Sequence, residues 1–116
     1  MSIGRRRMAV VDSRRFDILL VSLDPSQGAE IKKTRPCLVL SPDEMNKYVK
    51  TLIVAPMTSK GKPYITRIPV TFKGKEGKVL LDQIRTIDKS RIIKKLGTLE
   101  NDKISLVLET LGKMFS

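Results

Sequence analysis

Histidine is absent from the 116-residue chain, and cysteine occurs once, as Cys37. Histidine is the commonest zinc ligand and the commonest general base, so its absence excludes a histidine-containing zinc site and a catalytic histidine pair. A single cysteine cannot form an intrachain disulfide, and a free thiol inside an apolar stretch suits a reducing compartment. We therefore expect chemistry that uses other side chains and needs no metal or other cofactor.

Long apolar segments are also missing. No apolar run approaches the ~20 residues that span a membrane, and the N-terminal arginines are not followed by the apolar core of a signal peptide. These absences predict a cytoplasmic protein with no membrane partner. Aromatic residues are few, with three Phe and two Tyr, and Tyr64 is the best candidate among them for stacking on a base.

Positive charge, in contrast, is abundant. Lys and Arg number 23 against 12 Asp and Glu, which gives a formal net charge of +11. Such an excess favours a polyanionic partner, with nucleic acid ahead of a membrane surface. Five arginines and one aspartate fall in residues 1–15, which leaves +7 on residues 16–116. We predict a basic, flexible arm over 1–15, with Met8 as an alternative start, and one domain over 16–116.

Apolar runs separated by turn residues predict many short strands, as in a small β-barrel. Between the second and third strands, Ser41 is the predicted N-cap of a short helix, with Pro42 and Glu44 completing a typical helix start. Pro56 is predicted to end the third strand and to open a mobile polar loop. The predicted strands cover residues 16–23, 35–40, 49–55, 66–72, 78–81 and 84–87, with 73–77 as the hairpin between the fourth and fifth.

The C-terminal segment has helical periodicity, because Ile104, Val107, Leu111 and Phe115 fall on one face. The predicted fold is therefore mainly β with one C-terminal helix packed on a barrel. A chain of this size buries only about two-thirds of its unfolded surface. We expect a surface groove in place of a deep cavity, and a homodimer that covers leftover apolar surface.

RNA cleavage is compatible with the absence of histidine and of a metal site. The neighbouring 2′-OH attacks phosphorus and expels the 5′-oxygen, so the protein has only to position the substrate, stabilise charge and transfer protons. Arg35 and Thr58 lie at strand edges beside predicted loops. A guanidinium grips two phosphate oxygens at once, and a Thr hydroxyl can donate to the same phosphate. Either residue alone is also a common structural loop residue.

Four sequence blocks together are more specific. They carry a resemblance to the MazF/PemK/Kid toxin family that covers residues 16–114. The blocks are Leu23-Asp24-Pro25 with Gly28-Ala29-Glu30, then Lys33-Thr34-Arg35-Pro36, then Ala55-Pro56-Met57-Thr58-Ser59, and finally Leu81-Asp82-Gln83-Ile84-Arg85-Thr86-Ile87-Asp88-Lys89.

The resemblance implies a small SH3-like β-barrel of the CcdB/MazF/PemK type and a twofold homodimer. It also implies a toxin of a type II toxin–antitoxin system that cuts single-stranded RNA sequence-specifically, leaves 2′,3′-cyclic phosphate and 5′-OH ends, and inhibits translation and growth. A cognate acidic antitoxin is the implied partner, and the complex of the two is implied to bind DNA.

The same resemblance assigns candidate roles. Arg35 and Thr58 match the catalytic pair, and Glu30 lies in a loop that closes over RNA in the family. Because guanidinium cannot readily accept a proton, our hypothesis is that Arg35 stabilises the phosphorane while Glu30, or a water that it holds, deprotonates the 2′-OH. Candidate substrate-binding residues are Lys33, Ser59, Lys60, Lys62, Asp82, Gln83 and Arg85.

Two positions depart from the family pattern. Phe16 stands where a glycine commonly precedes the first aspartate, and Leu80 stands where some plasmid-borne relatives have a catalytic arginine. Only the Arg/Thr arrangement is therefore carried over. Two alternatives stay open: a CcdB-like protein that binds gyrase, and a basic RNA-binding barrel without catalysis. Cleavage of naked RNA in EDTA would distinguish a toxin endoribonuclease from both alternatives.

Overall fold

The computed structural model describes residues 12–23 and 34–116 of the chain. Seven strands and two α-helices make up this part, so the predicted mainly-β fold with a C-terminal helix is confirmed. No helix in it is long and apolar enough to cross a membrane. The elements are β1 (Asp17–Ser22), β2 (Thr34–Val39), α1 (Asp43–Tyr48), β3 (Thr51–Thr58), β4 (Arg67–Phe72), β5 (Lys75–Leu80), β6 (Arg85–Asp88), β7 (Ile92–Thr98) and α2 (Asn101–Met114).

The strands form one curled antiparallel sheet in the order β4-β5-β3-β2-β1-β7, with β6 also paired to β3. β3 is the central element because it has three partners in turn. Its first half pairs with β6 from Thr51 to Val54, its middle pairs with β2 up to Pro56, and its last two residues pair with β5. The sheet therefore bends at the end of β3.

Pro56 does not end the third strand, and this prediction was wrong. β3 continues through Met57 to Thr58. Pro56 lies opposite Cys37 at the last described β2 pair, and the pairing with β5 begins at the next residue. A proline lacks a backbone donor and is tolerated where a ladder is interrupted, so Pro56 marks the change of partner.

Apolar side chains fill both sides of the curled sheet. The larger cluster includes Ile18, Leu38, Ala55 and Val79 and is covered by α2, which buries Val107 completely. The second cluster contains side chains that alternate with these along the strands, as the two-residue period of a strand requires. Its buried members are Leu19, Val21, Cys37, Val39, Leu52, Val54 and Ile87. The predicted amphipathic C-terminal helix is thus confirmed as a core element.

The start of α1 also differs from the prediction. Pro42 is the N-cap and makes no side-chain cap bond. The buried Ser41 hydroxyl instead donates to Asn46 Oδ1 at 2.7 Å and accepts the backbone N–H of Ile53 at 3.1 Å. Ser41 therefore ties α1 to β3, because a buried hydroxyl is stabilised only when it is hydrogen-bonded.

Two further differences concern strands. The β4–β5 hairpin turns at Lys73 and Gly74, both with positive φ (53° and 77°), so β5 begins at Lys75 and the connection is shorter than the predicted 73–77. A two-residue turn with two positive φ values matches the twist of the flanking strands. β7 was not predicted at all.

Part of the predicted N-terminal arm lies among the described residues. The backbone N–H of Arg15 donates to Asp43 Oδ1 at 2.7 Å, and its Nε donates to the Leu40 carbonyl at 2.9 Å. Residues 1–11 lie outside the described part of the chain.

Candidate active site

A surface cavity of about 330 Å³ lies where β2, the end of β3 and the β4–β5 hairpin meet. Arg35 and Thr58 both line it, so the structure brings this predicted pair together. We call this cavity the groove. Its lining residues are Thr34, Arg35, Pro36, Met57, Thr58, Ser59, Val70, Phe72, Lys75, Glu76 and Gly77.

The register of the sheet explains why Arg35 and Thr58 meet. β2 and β3 are antiparallel, and their described pairs end at Cys37 opposite Pro56. Two residues farther along each strand are Arg35 and Thr58. Side chains two residues apart on a strand share a face, and β3 turns towards β5 at this point. Arg35 and Thr58 therefore lie at the opening between β2 and β3, where these two strands separate.

The Thr58 side chain is held by its own loop. Its Oγ1 accepts the backbone N–H of Lys60 at 3.1 Å, a local turn that fixes the hydroxyl direction. Within the described part of the chain its hydrogen has no acceptor, so the hydroxyl is free to donate to a ligand in the groove.

β5 approaches Thr58 closely at a glycine. A Cβ placed on Gly77 would lie 3.1 Å from the backbone carbonyl oxygen of Thr58. This separation is shorter than an ordinary carbon–oxygen contact, so the absence of a side chain at Gly77 allows the two strands to pack at the groove.

Arg35 is exposed and forms no ion pair or side-chain hydrogen bond within the described ranges 12–23 and 34–116. Its guanidinium is therefore available to an anion. Behind it, burial raises the pKa of the Cys37 thiol to about 12, although the charges of Arg35 and Arg85 act in the opposite direction. Cys37 is fully buried and protonated at neutral pH, so it is a core residue and is not placed to act as a nucleophile.

The β4–β5 hairpin supplies groove residues that were not predicted. Glu76 is the only carboxylate among the described residues that line the groove, beside Phe72 and Lys75. A second cavity, also of about 330 Å³, adjoins the groove through shared residues and carries Lys78 and Lys103. The strand pattern predicted the hairpin, but no local signal showed that it folds over the end of β3.

The other predicted binding residues are scattered. Ser59 lines the groove, whereas Lys60 and Lys62 lie in the exposed loop that follows it. Glu30 and Lys33 fall outside the described residues.

Asp82, Gln83 and Arg85 do not line the groove. Asp82 and Gln83 lie in a 3-10 turn (Leu81–Gln83), and Arg85 begins β6 and pairs with Val54 of β3. All three residues are exposed to solvent.

Asp82 is engaged by β4. Its carboxylate oxygens accept from Arg67 Nε and Nη2, each at 3.3 Å, and from Thr66 Oγ1 at 3.2 Å. The hydrogen bond from Arg67 is the main reason that the pKa of Asp82 is lowered. This sequence-distant partner was not predicted.

Metal-ligating side chains do not cluster in the part of the chain that the structure describes. No group of three or more Cys, Asp or Glu residues there is placed to hold an ion. Among the described residues, the groups available in the groove thus include a guanidinium, an oriented hydroxyl, one carboxylate and the ammonium of Lys75.

Known proteins match both the sequence and this arrangement of strands. A family model described as the PemK-like, MazF-like toxin of type II toxin–antitoxin systems matches residues 14–115. The chain is 37% identical over 102 residues to the endoribonuclease MazF of Staphylococcus saprophyticus, covering 81% of this chain and 83% of that protein.

Solved structures agree with the sequence matches. MazF from Deinococcus radiodurans has a TM-score of 0.73 at 29% identity, covering 88% of this chain and 94% of that one. The MazE–MazF structure from the same organism has a TM-score of 0.75 at 29% identity, covering 90% and 96%. The chain belongs to the family of PemK-like, MazF-like toxins of type II toxin–antitoxin systems.

Proposed function

We propose that this chain is a toxin endoribonuclease that cuts single-stranded RNA in the groove, sequence-specifically and without a metal ion. The single observation that carries the proposal is the placement of Arg35 and Thr58 at one cavity. The endoribonuclease name of the Staphylococcus saprophyticus relative supports the same activity.

The reaction is an internal transesterification. The substrate 2′-oxygen attacks the adjacent phosphorus and the bond from phosphorus to the 5′-oxygen breaks, which gives a 2′,3′-cyclic phosphate and, once the leaving oxygen takes up a proton from water, a 5′-OH. Negative charge grows on the phosphate oxygens in the transition state, and the guanidinium of Arg35 stabilises it. The Thr58 hydroxyl, oriented by the Lys60 N–H, donates to one of these oxygens.

A base must take the proton of the 2′-OH, and guanidinium is unsuited to this because its pKa is above about 12. Two carboxylates are candidates. Glu30 is the candidate that the family resemblance supports. Glu76 is supported by its position at the groove.

The first test is cleavage of naked RNA by the purified chain in EDTA. We expect cut ends with 2′,3′-cyclic phosphate and 5′-OH groups. Arg35→Ala should lose ~2–4 kcal/mol of transition-state stabilisation, by analogy with the loss of one oxyanion donor. Arg14→Ala is the matched control, because Arg14 is exposed and lines a different cavity. Parent-like cleavage by Arg35→Ala would show the assignment to be wrong.

The base is identified by pH–rate profiles of Glu30→Gln and Glu76→Gln. Removal of the base should abolish the acid limb of the profile, because that limb reports protonation of the carboxylate. The variant of the other residue should keep it. An acid limb that persists in both variants would contradict both assignments.

Two partners complete the proposal. A homodimer is expected, and light scattering should then give a molar mass twice the 13.1 kDa of the chain. A cognate antitoxin with an acidic, flexible segment would cover the basic groove and block cutting. The Deinococcus radiodurans structure described as MazE–MazF supports this second partner.

A further inference from the structure

Tyr64 lies on the surface in the loop that joins β3 to β4. This loop begins at the groove residue Ser59 and carries Lys60 and Lys62. The Tyr64 side chain is 57% exposed, although an aromatic ring normally gains by burial. The loop therefore leads from the groove to an exposed aromatic ring.

Arg67 fixes this ring from one side. Its guanidinium carbon lies 4.5 Å from the centre of the Tyr64 ring, which is cation–π distance. The backbone N–H of Arg67 also donates to the Tyr64 carbonyl at 2.9 Å, closing a tight turn. Tyr64 is thus held at both its backbone and its ring.

Arg67 is itself held in place. Its side chain is only 16% exposed and forms an ion pair with Asp82 at 3.3 Å. Its Nη1 would lie 3.3 Å from a Cβ at Gly61, so the loop also approaches the guanidinium at this glycine. The Tyr64 ring therefore lies on a fixed support, with its outer surface open to solvent.

The loop that carries the ring contains two Lys residues ahead of Tyr64. Lys60 and Lys62 are exposed and form no ion pair within the described residues. An exposed aromatic ring that is backed by Arg and preceded in its loop by two exposed Lys residues is suited to an unpaired base and its phosphates. Tyr48, the other tyrosine, is 83% exposed but has no cation over its ring among the described contacts.

We propose that Tyr64, supported by Arg67, is a stacking platform for an unpaired base of RNA that extends out of the groove. This inference rests on the proposed function, because it identifies a recognition element for the same substrate. It adds a residue that selects unpaired over paired RNA, since a base within a duplex cannot stack on an outside ring.

The chain contains no tryptophan and two tyrosines, so its intrinsic fluorescence reports on Tyr48 and Tyr64 alone. In Tyr48→Phe the signal comes only from Tyr64, and stacking of a base quenches it. We expect single-stranded RNA with 2′-O-methyl groups, which cannot be cut, to quench Tyr48→Phe. The same RNA should leave Tyr64→Phe unquenched, and a blunt RNA duplex should quench neither variant.

Affinity provides the second measurement. Tyr64→Ala should weaken binding of the 2′-O-methyl RNA about 5- to 150-fold, the range expected for loss of one stacked base. Tyr48→Ala is the matched control and should bind as the parent does. Equal affinity of Tyr64→Ala and the parent, equal quenching by duplex RNA, or a response only to an acidic peptide such as polyglutamate would each overturn the platform.

Failure of this inference is distinguishable from failure of the proposed function. A parent chain that cuts RNA while Tyr64 gives no response contradicts only the platform. A Tyr64 response in a chain that never cuts RNA leaves the platform standing and contradicts the endoribonuclease proposal.

Discussion

At the residue scale, Asp82 shows how a local pattern can leave out the decisive partner. The family blocks drew attention to Asp82, but Arg67 and Thr66, which contact its carboxylate, lie outside those blocks. By contrast, Arg35 and Thr58 were predictable as a pair, because each lies at a strand end within a block that resembles the family. A side-chain contact between residues 15 positions apart depends on how the sheet curls, which periodicity does not determine.

The lowered pKa of Asp82 predicts a pH-dependent contribution to stability. A carboxyl group whose pKa is lower in the folded state stabilises the fold at neutral pH, and this contribution is lost as the pH falls below about 4. The hydrogen bond from Arg67 is the main cause. Asp82→Asn should therefore melt below the parent at pH 7, and the difference in Tm should shrink as the pH falls through 4 towards 2. A difference that stays constant over this range would contradict the ion-pair role.

Gly97 in β7 predicts a packing defect when it is enlarged. A Cβ there would lie 2.7 Å from Cε1 of the Phe72 ring, which packs against the core and lines the groove. Gly97→Ala should lower the free energy of unfolding by ~1–3 kcal/mol, as overpacking does.

The matched control for Gly97 is Gly112→Ala in α2, where nothing lies within 4 Å of the added Cβ. This control should raise stability by ~0.5–1 kcal/mol, because alanine favours a helix. Urea unfolding measures both variants. Equal stabilities of Gly97→Ala and the parent would show that the Phe72 ring moves without cost.

At the scale of whole elements, the strands with clean apolar patterns were predictable and the irregular one was not. β7 lies at the sheet edge, and its pairing with β1 is interrupted by two register shifts. Bulges break the two-residue alternation. Lys94 and Lys95 occupy consecutive positions, and lysines on an edge strand oppose its pairing with another chain. Residues 92–98 therefore lack the pattern that identifies an ordinary strand.

The contact between β5 and β3 predicts an effect of Gly77 on catalysis. Gly77→Ala places a methyl group 3.1 Å from the Thr58 carbonyl, so β5 or Thr58 must shift by a fraction of an ångström. Because displacements near 1 Å can cost about 100-fold in rate, we expect roughly a tenfold lower kcat with little change in KM.

Single-turnover cleavage of RNA measures this effect, with thermal melting to confirm that Gly77→Ala is folded. Gly112→Ala is again the control and should cut at the parent rate. A folded Gly77→Ala with an unaltered kcat would mean that Thr58 tolerates the contact, or that its placement is unimportant for cutting.

At the scale of the molecule, the fold class followed from the sequence but the strand order did not. Short strands and one terminal helix predict a small barrel, whereas the position of β3 between β5 and β2 joins segments that are distant in the chain. The groove was hard to predict for the same reason. Two of its walls are β2 and β3, identified by sequence blocks, and the third is a hairpin that folding brings over them.

The net charge of +11 predicts a strong salt dependence of RNA binding. Each phosphate contact to single-stranded RNA contributes about −0.7 to the slope of log affinity against log salt. Four such contacts would weaken binding about 50-fold between 50 and 200 mM salt.

Replacing both Lys60 and Lys62 by Gln should make that slope shallower by about 1.4 if both contact phosphates. Fluorescence anisotropy with 2′-O-methyl RNA measures it. A double variant with the parental slope would place the phosphate contacts elsewhere on the surface.

β3 pairs with three other strands and contributes residues to both the core and the groove. Loss of the pairing of β3 removes hydrophobic packing and separates Thr58 from Arg35 in a single event. Cutting activity should therefore vanish at the same urea concentration as the far-ultraviolet circular dichroism of the sheet. A damaged or half-folded copy of this toxin would be harmless to RNA.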